Sequence, residues 1–193
     1  MKIITIDREF GAGGHSVGNE VARRLGIELY DRDIIRQAAQ TSGITAAEME
    51  HQEEALSLGE SIISAIVPNS YDIKDIVFDN ERQAIVNLAK QGPCVIIGRC
   101  ASAILAEEGI DSLDVFLYAS KEARCARVGE LTGLTHEADI MSAMKKRDSE
   151  RRSYFEHYTS RHWGMGKDYD LFLNTGTLGR ECCIDIVCRA AAE

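Results

Sequence analysis

The chain has 193 residues, enough for one well-cored domain or one domain with small inserts. Hydrophobic residues make up 45%, which favours a folded globule over disorder. The formal net charge of −9 argues against a polymeric nucleic-acid partner, which needs a dominant basic face, but leaves room for a local site that takes a small anion.

The opening run "KIITI" (2–6) reads as a buried strand. It is too short, and too soon followed by Asp7 and Glu9, for a signal peptide. "REFGAGGHSVG" (8–18) follows as a glycine-rich turn, and "SVGNEVARRLG" as a helix with Val17, Val21 and Leu25 four apart and Gly26 as its stop. "IELY" (27–30) is a short second strand. Residues 41–92 hold no clear strand and read as a helical insert with a Pro68-Asn69-Ser70 turn. "CVIIG" (94–98) and "DVFLYA" (114–119) are strands, and "SKEARCARVGEL" is a helix. Residues 131–164 are polar, rich in arginine and aromatic near the end, which suggests a second helical insert. "YDLFLNT" (169–175) is a fifth strand and "GRECCIDIVCRAAA" a last helix. Strands alternating with helices imply an α/β fold with a parallel sheet covered on both sides. No stretch approaches a membrane span. The six cysteines lack paired CxxC spacing, so reduced thiols and a cytoplasmic location are expected.

A loop that cradles phosphate needs glycines where φ is positive, inward-pointing N–H groups and a following helix N-terminus. It usually adds a lysine for the phosphates and a Ser/Thr hydroxyl for Mg²⁺. Here the strand, the glycines, Ser16 and the helix are present, but the lysine is not. In one register His15 stands in the lysine position and Glu9 in that of the leading glycine. In the other, "GAGGHS" matches "GAGKGT", with Arg8 for the leading glycine and Gly14 for the lysine. A glycine-rich turn of purely structural purpose fits the motif alone equally well.

"GAGGHSVGNEVARRLGIELYD" resembles the start of bacterial cytidylate kinases, "GAGKGT…LA..LG..YLD", which favours the second register. "VIIGRCASAIL" is similar to their "GRDIGT" segment, and "VFLYASKEARCARV" to "FLTAS…R…R". "KRDSERRS" resembles their arginine-rich lid, and "YDLFLNTGTLG" their last strand, "VLDTTGLS". "REFG.GG", "YDR..I", "GRCA" and "YT...WG" mark the cytidylate kinase-like branch of the P-loop kinases, and all four stand here.

The resemblance implies a three-layer P-loop kinase fold in a single domain. Its five-stranded parallel sheet would sit in a core of residues 1–40, 93–130 and 165–193, with an acceptor-binding insert at 41–92 and a lid at 131–164. It also implies ATP, Mg²⁺ and phosphoryl transfer to a nucleoside monophosphate such as CMP or dCMP, in a monomer or small homo-oligomer. Three departures stand out: Gly14 in the lysine position, Cys100 for the Asp of "GRD", and Arg32-Asp33 for the Thr-Gly after Asp31.

Phosphoryl transfer rests on positioning and on neutralising charge. The backbone of Gly11, Ala12, Gly13, Gly14, His15 and Ser16 would hold ATP phosphates, with Ser16 on Mg²⁺ and lid Arg152 on the nucleotide. Arg8, always charged, either reaches the phosphates or turns away to an acidic partner. His15 is mostly neutral at pH 7 and otherwise reads as an exposed residue of the first helical turn. Arg147 and Arg151 are four apart and share a helical face; they form a lid face over the transferring group, or a solvated helix in which Asp148 pairs with Arg152. Arg99, after a buried strand, suits contact with the acceptor phosphate. Asp31 suits the acceptor or water-held Mg²⁺, and Arg82 either the acceptor or a surface ion pair. Asp7 reads as ordering the loop by accepting backbone hydrogen bonds. Cys100, Tyr154, Tyr158 and Trp163 read as packing. Two alternatives to a nucleotide kinase remain open: a nucleotide-binding regulator without transfer activity, and a kinase of a non-nucleotide metabolite.

Overall fold

Each short apolar run becomes a strand whose successive side chains enter two different cores. The computed structural model describes residues 2–41 and 73–192. Strands β1 (Ile3–Arg8), β2 (Glu28–Tyr30), β3 (Cys94–Ile97), β4 (Ser112–Tyr118) and β5 (Leu171–Asn174) form one parallel sheet in the order β2-β3-β1-β4-β5. β1 is central, with Ile4 opposite Val95 of β3 and Ile6 opposite Val115 of β4.

Eight α-helices occur among the described residues. They are α1 (Gly14–Leu25), α2 (Arg32–Thr41), α3 (Ile73–Gln91), α4 (Ala101–Glu107), α5 (Lys121–Thr132), α6 (Glu137–Tyr158), α7 (Thr175–Leu178) and α8 (Arg180–Ala192). Ile4, Ile6, Val95, Ile97, Val115 and Leu117 pack on one face with Val17 and Val21 of α1 and Val187 of α8. Ile96 and Phe116 face the other way, onto α2, α3 and α4. Burial on both faces explains the unbroken apolar strands. The fold is the three-layer α/β arrangement expected from the sequence, and all five expected strands form.

Local signals end the helices as read. α1 stops at Gly26, whose φ of +66° is left-handed and whose N–H donates to the Ala22 carbonyl. α5 starts at Ser120, whose Oγ accepts the Ala123 N–H. None of the described helices is long and apolar enough to cross a membrane.

α6 spans 22 residues inside the expected lid. It is anchored at both ends. Ile140 and Met144 pack with Val128 of α5 and with Phe10. Farther along, Tyr158 stacks on Phe78 of α3 with ring centroids 4.1 Å apart, and Tyr154 meets Phe78 edge-on at 6.2 Å. Residues 42–72 of the expected insert, including the Pro68-Asn69-Ser70 turn, lie outside the described residues; α3 supplies the rest.

Phe78 is 7% exposed and joins α3 to α6. Phe78→Ala is expected to cost about 3–5 kcal/mol of stability, read from the urea midpoint.

Candidate functional site

In a parallel sheet the carboxyl ends of the strands form the edge where ligands collect. Here the turn from β1 into α1 runs along that edge. Gly11 (φ +87°) and Gly13 (φ +84°) adopt the left-handed conformation that glycine takes without strain. A Cβ on Gly11 would lie 2.9 Å from Val128 Cγ2 and 3.0 Å from the Arg124 carbonyl oxygen. The first bond of α1 runs from the Val17 N–H to the Gly13 carbonyl at 2.9 Å. The N–H groups of Gly11, Gly13, Gly14, His15 and Ser16 find no partner among the described residues. Five free amides at a helix N-terminus make a cradle for an anion.

Side chains from three elements fix the cradle's shape. Thr175 Oγ1 donates to the Ala12 carbonyl at 2.9 Å. The Phe10 N–H donates to Asp148 Oδ1 at 2.7 Å, and Arg124 Nε donates to the Phe10 carbonyl at 2.8 Å. Arg124 also pairs with Asp148 and, at 3.2 Å, with Glu9. Asp148 therefore holds α6 to the loop instead of pairing with Arg152; the Arg152 guanidinium lies 5.6 Å from the Trp163 ring centroid.

Arg8 runs from the end of β1 past two glycines. Its aliphatic stem crosses Gly14, where a Cβ would lie 2.6 Å from Arg8 Cγ and 3.0 Å from Cδ. Its Nη1 takes the place of a Cβ on Gly98. The stem thus passes Gly14, the residue in the lysine position, and the guanidinium ends at Gly98. Burial pulls its pKa down, Asp7 pushes it back up, and Arg99 lowers it further.

Arg151 joins this group. Its Nη1 donates to the Arg8 carbonyl at 3.0 Å, and its guanidinium lies 5.7 Å from the Phe10 ring centroid. Burial, with Arg8 next, lowers its pKa to about 10, so it stays cationic at neutral pH. Arg147 faces outward, 58% exposed and 3.6 Å from Glu150. The two arginines do not present one common face to the loop.

Arg99 sits in the turn after β3. Gly98, Arg99 and Cys100 all have left-handed φ, at +72°, +58° and +59°. The Arg99 Nη2 lies 2.7 Å from Glu81 Oε1, and its guanidinium 5.1 Å from the Tyr154 ring centroid. Arg82 lies at the other end of α4, paired with Glu107 at 3.0 Å and Glu108 at 2.8 Å. Cys100 is buried, and desolvation pushes its thiol pKa up, so it is no thiolate nucleophile.

Asp31 caps α2: its Oδ1 accepts the N–H groups of Asp33 and Ile34 at 3.1 and 3.2 Å. Its Oδ2 faces His15 Nδ1 at 3.9 Å, which leaves one carboxylate oxygen toward the loop. Ser16 Oγ accepts from Arg127 Nη2 at 3.3 Å and keeps a second lone pair for a metal ion. Asp7 corrects its reading from sequence. It accepts the Tyr169 hydroxyl at 3.2 Å, and no loop amide is bound to it. The strand alternation turns it toward the α3 and α4 side, away from the loop backbone.

Sequence reasoning missed Glu81, Arg36, Arg127 and Arg180, and gave Asp148 the wrong partner. Glu81 falls on the stripe that includes Phe78 and Ile85, so helical periodicity would have flagged a carboxylate facing the core. Arg127 is the second arginine of "EARCAR". Arg180, whose Cδ lies 3.4 Å from the place of a Cβ on Gly13, has no local signal.

Burial is the main force on Asp7 and raises its pKa above the ordinary 3.8; Asp114 adds to the rise, while Arg8, Tyr169 and Arg151 oppose it. A carboxyl with a raised folded pKa holds its proton longer in the folded chain. Stability therefore falls as pH rises from about 4 through the folded pKa. Asp7→Asn is expected to raise Tm relative to the parent at pH 7, with the gain vanishing toward pH 3; thermal unfolding at both pH values checks this.

Solved structures share this architecture. One described as an uncharacterized protein from Eubacterium ventriosum ATCC 27560 is 24% identical, with a TM-score of 0.76 and coverage of 100% of this chain and 99% of that one. A shikimate kinase from Bacteroides thetaiotaomicron is 15% identical, with a TM-score of 0.55 and coverage of 100% and 99%. A gluconokinase from Sinorhizobium meliloti 1021 is 14% identical, with a TM-score of 0.54 and coverage of 99% and 94%. At these identities the likeness shows the fold, that of P-loop kinases. No curated protein matches the chain. Residues 3–177, which carry the glycine cradle, Arg8, Arg99 and α6, match the sequence pattern of the cytidylate kinase-like family, and the chain belongs to that family.

Proposed function

We propose that the protein transfers the γ-phosphoryl group of ATP, with Mg²⁺, to a nucleoside monophosphate of the CMP or dCMP type. Family membership and fold support phosphoryl transfer in general. The observation that carries the reading at the site is the set of five amides unpartnered among the described residues, beside an arginine whose stem crosses Gly14.

In this reading the backbone of residues 11–16 holds the ATP phosphates. The donor set fits: free N–H groups for oxyanions, a serine hydroxyl with a spare lone pair and a carboxylate oxygen for the metal. Ser16, with Asp31 behind it, would hold Mg²⁺, which neutralises phosphate charge when bound. Arg8 supplies the cation that a lysine would bring, and Arg151 steadies it through the Arg8 carbonyl. Arg99 meets the acceptor phosphate from the end of β3. Arg127 and Arg180 flank the loop on its α5 and α8 sides and suit the nucleotide's outer charge. Arg152, Arg147 and Arg82 serve packing or surface pairing in this arrangement.

ADP formation measured with Mg²⁺-ATP and a panel of nucleoside monophosphates tests the proposal. Turnover is expected with a pyrimidine acceptor. Protein that binds ATP but turns over none of the panel contradicts it. Arg8→Met is expected to lower kcat by about a thousandfold, because a guanidinium at the transferring group stabilises the transition state.

A further inference from the structure

Glu81 is 1% exposed, and a carboxylate removed from water is stable only when it is paired. Three elements meet it. Arg99 Nη2 lies 2.7 Å from Oε1, Arg36 Nε of α2 lies 3.9 Å from the same oxygen, and the Tyr154 hydroxyl of α6 donates to Oε2 at 2.8 Å. The Tyr154 ring also backs the Arg99 guanidinium, and burial with the Glu81 charge pushes the Tyr154 pKa up, so its hydroxyl stays a donor.

Two further observations point to a ligand. First, the buried Nε of Arg99 has no hydrogen-bond partner among the described residues; nor has the Arg36 Nε, which faces Glu81 Oε1 at 3.9 Å, or Glu81 Oε1 itself, whose contacts with the two arginines are ion pairs. Unsatisfied buried donors are rare and costly, and a guanidinium N–H is satisfied best by an oxyanion. Arg32 stands near both; burial first, then Arg99 and Arg36, lower its pKa. Two guanidiniums, Arg99 and Arg36, face the one buried carboxylate, an excess of one positive charge over it. Second, Arg99 and Cys100 are non-glycine residues held at left-handed φ, a conformation that persists only where surrounding contacts enforce it. The Glu81 carboxylate and the Tyr154 ring are the contacts that hold the Arg99 side chain there.

We propose that Glu81 is the positioning residue of an oxyanion site formed by Arg99 and Arg36, and that Tyr154 ties the site to α6. The proposal rests on reading Arg99 as the acceptor contact; what it adds is the carboxylate that aims the arginine and the link to α6. The site takes a phosphate group, whose two negative charges answer the excess of guanidinium. Glu81 does not touch the ligand. It fixes two donors whose remaining N–H groups do.

The test uses the full chain with inorganic phosphate as probe, at constant ionic strength, followed by the phosphate-dependent rise in Tm. The parent is expected to be stabilised, and Arg99→Met to lose the effect. Glu81→Gln is expected to weaken phosphate binding by about tenfold or more, with the Kd for Mg²⁺-ATP within about twofold of the parent. Tyr154→Phe is expected to weaken phosphate binding by about threefold, and the double variant to be no weaker than Glu81→Gln, because Tyr154 acts through Glu81. Should Glu81→Gln fail to fold, Tyr154→Phe carries the same comparison alone. Unchanged phosphate binding in whichever variant folds, additive losses in the double variant, or a parent that phosphate does not stabilise would each overturn the proposal. An absence of turnover would not: phosphate binding that depends on Glu81 in a protein without transfer activity refutes the kinase reading and leaves the oxyanion site standing. In an active protein, Glu81→Gln is expected to raise KM for the acceptor by about tenfold and leave KM for ATP unchanged.

Discussion

The site depends on one side chain lying across one missing side chain. Arg8 leaves the end of β1, passes over Gly14 and ends where a Cβ on Gly98 would stand. Gly14 has no positive φ and opens α1, so its backbone would accept any residue; the Arg8 stem is what excludes a Cβ there. A lysine at this position and Arg8 in this conformation are mutually exclusive. In the proposed reading, the cation that a lysine would bring from the first turn of the helix comes instead from the last residue of the strand before it. Because the Arg8 carbonyl accepts Arg151, the same residue also sets how α6 meets the loop.

α6 ties both sides of the cleft together. Asp148 binds the Phe10 amide and Arg124, which locks the helix to the entrance of the glycine turn. Farther along the same helix, Tyr154 reaches Glu81 and the Phe78 ring of α3. The glycine turn and the Arg99 side therefore both contact α6. The chain is acidic overall, yet Arg8, Arg99, Arg151, Arg127 and Arg36 gather along one edge of the sheet. A local field of this kind can oppose the global charge at a small site.

The strands were legible because burial on both faces leaves apolar runs that no other element explains, as in "CVIIG" and "DVFLYA". The glycine turn and the Gly26 stop were legible because positive φ demands a particular residue. The direction of Arg8 was not, since a position in the chain does not fix a rotamer. Asp148 looked like a partner for Arg152 four residues away. Its true partners lie in α5 and the loop, brought close only by tertiary packing. The capping role of Asp31 could have been added from the sequence, since an aspartate just before a helix signals a cap. Glu81 was hidden by the habit of reading charged helix positions as solvated, while its spacing from Phe78 and Ile85 put it on the core face.

Affinity for Mg²⁺-ATP across a two-position swap tests most directly whether Arg8 replaces the lysine. Arg8→Ala removes both the cation and the stem, and is expected to weaken binding by about tenfold or more. Gly14→Lys alone is expected to bind no better than the parent, because its Cβ collides with Arg8. The double variant Arg8→Ala/Gly14→Lys is expected to return to within about threefold of the parent, since the stem has gone and the ammonium can take its place. Parent-like affinity in Arg8→Ala, or a gain from Gly14→Lys with Arg8 still present, would contradict the account.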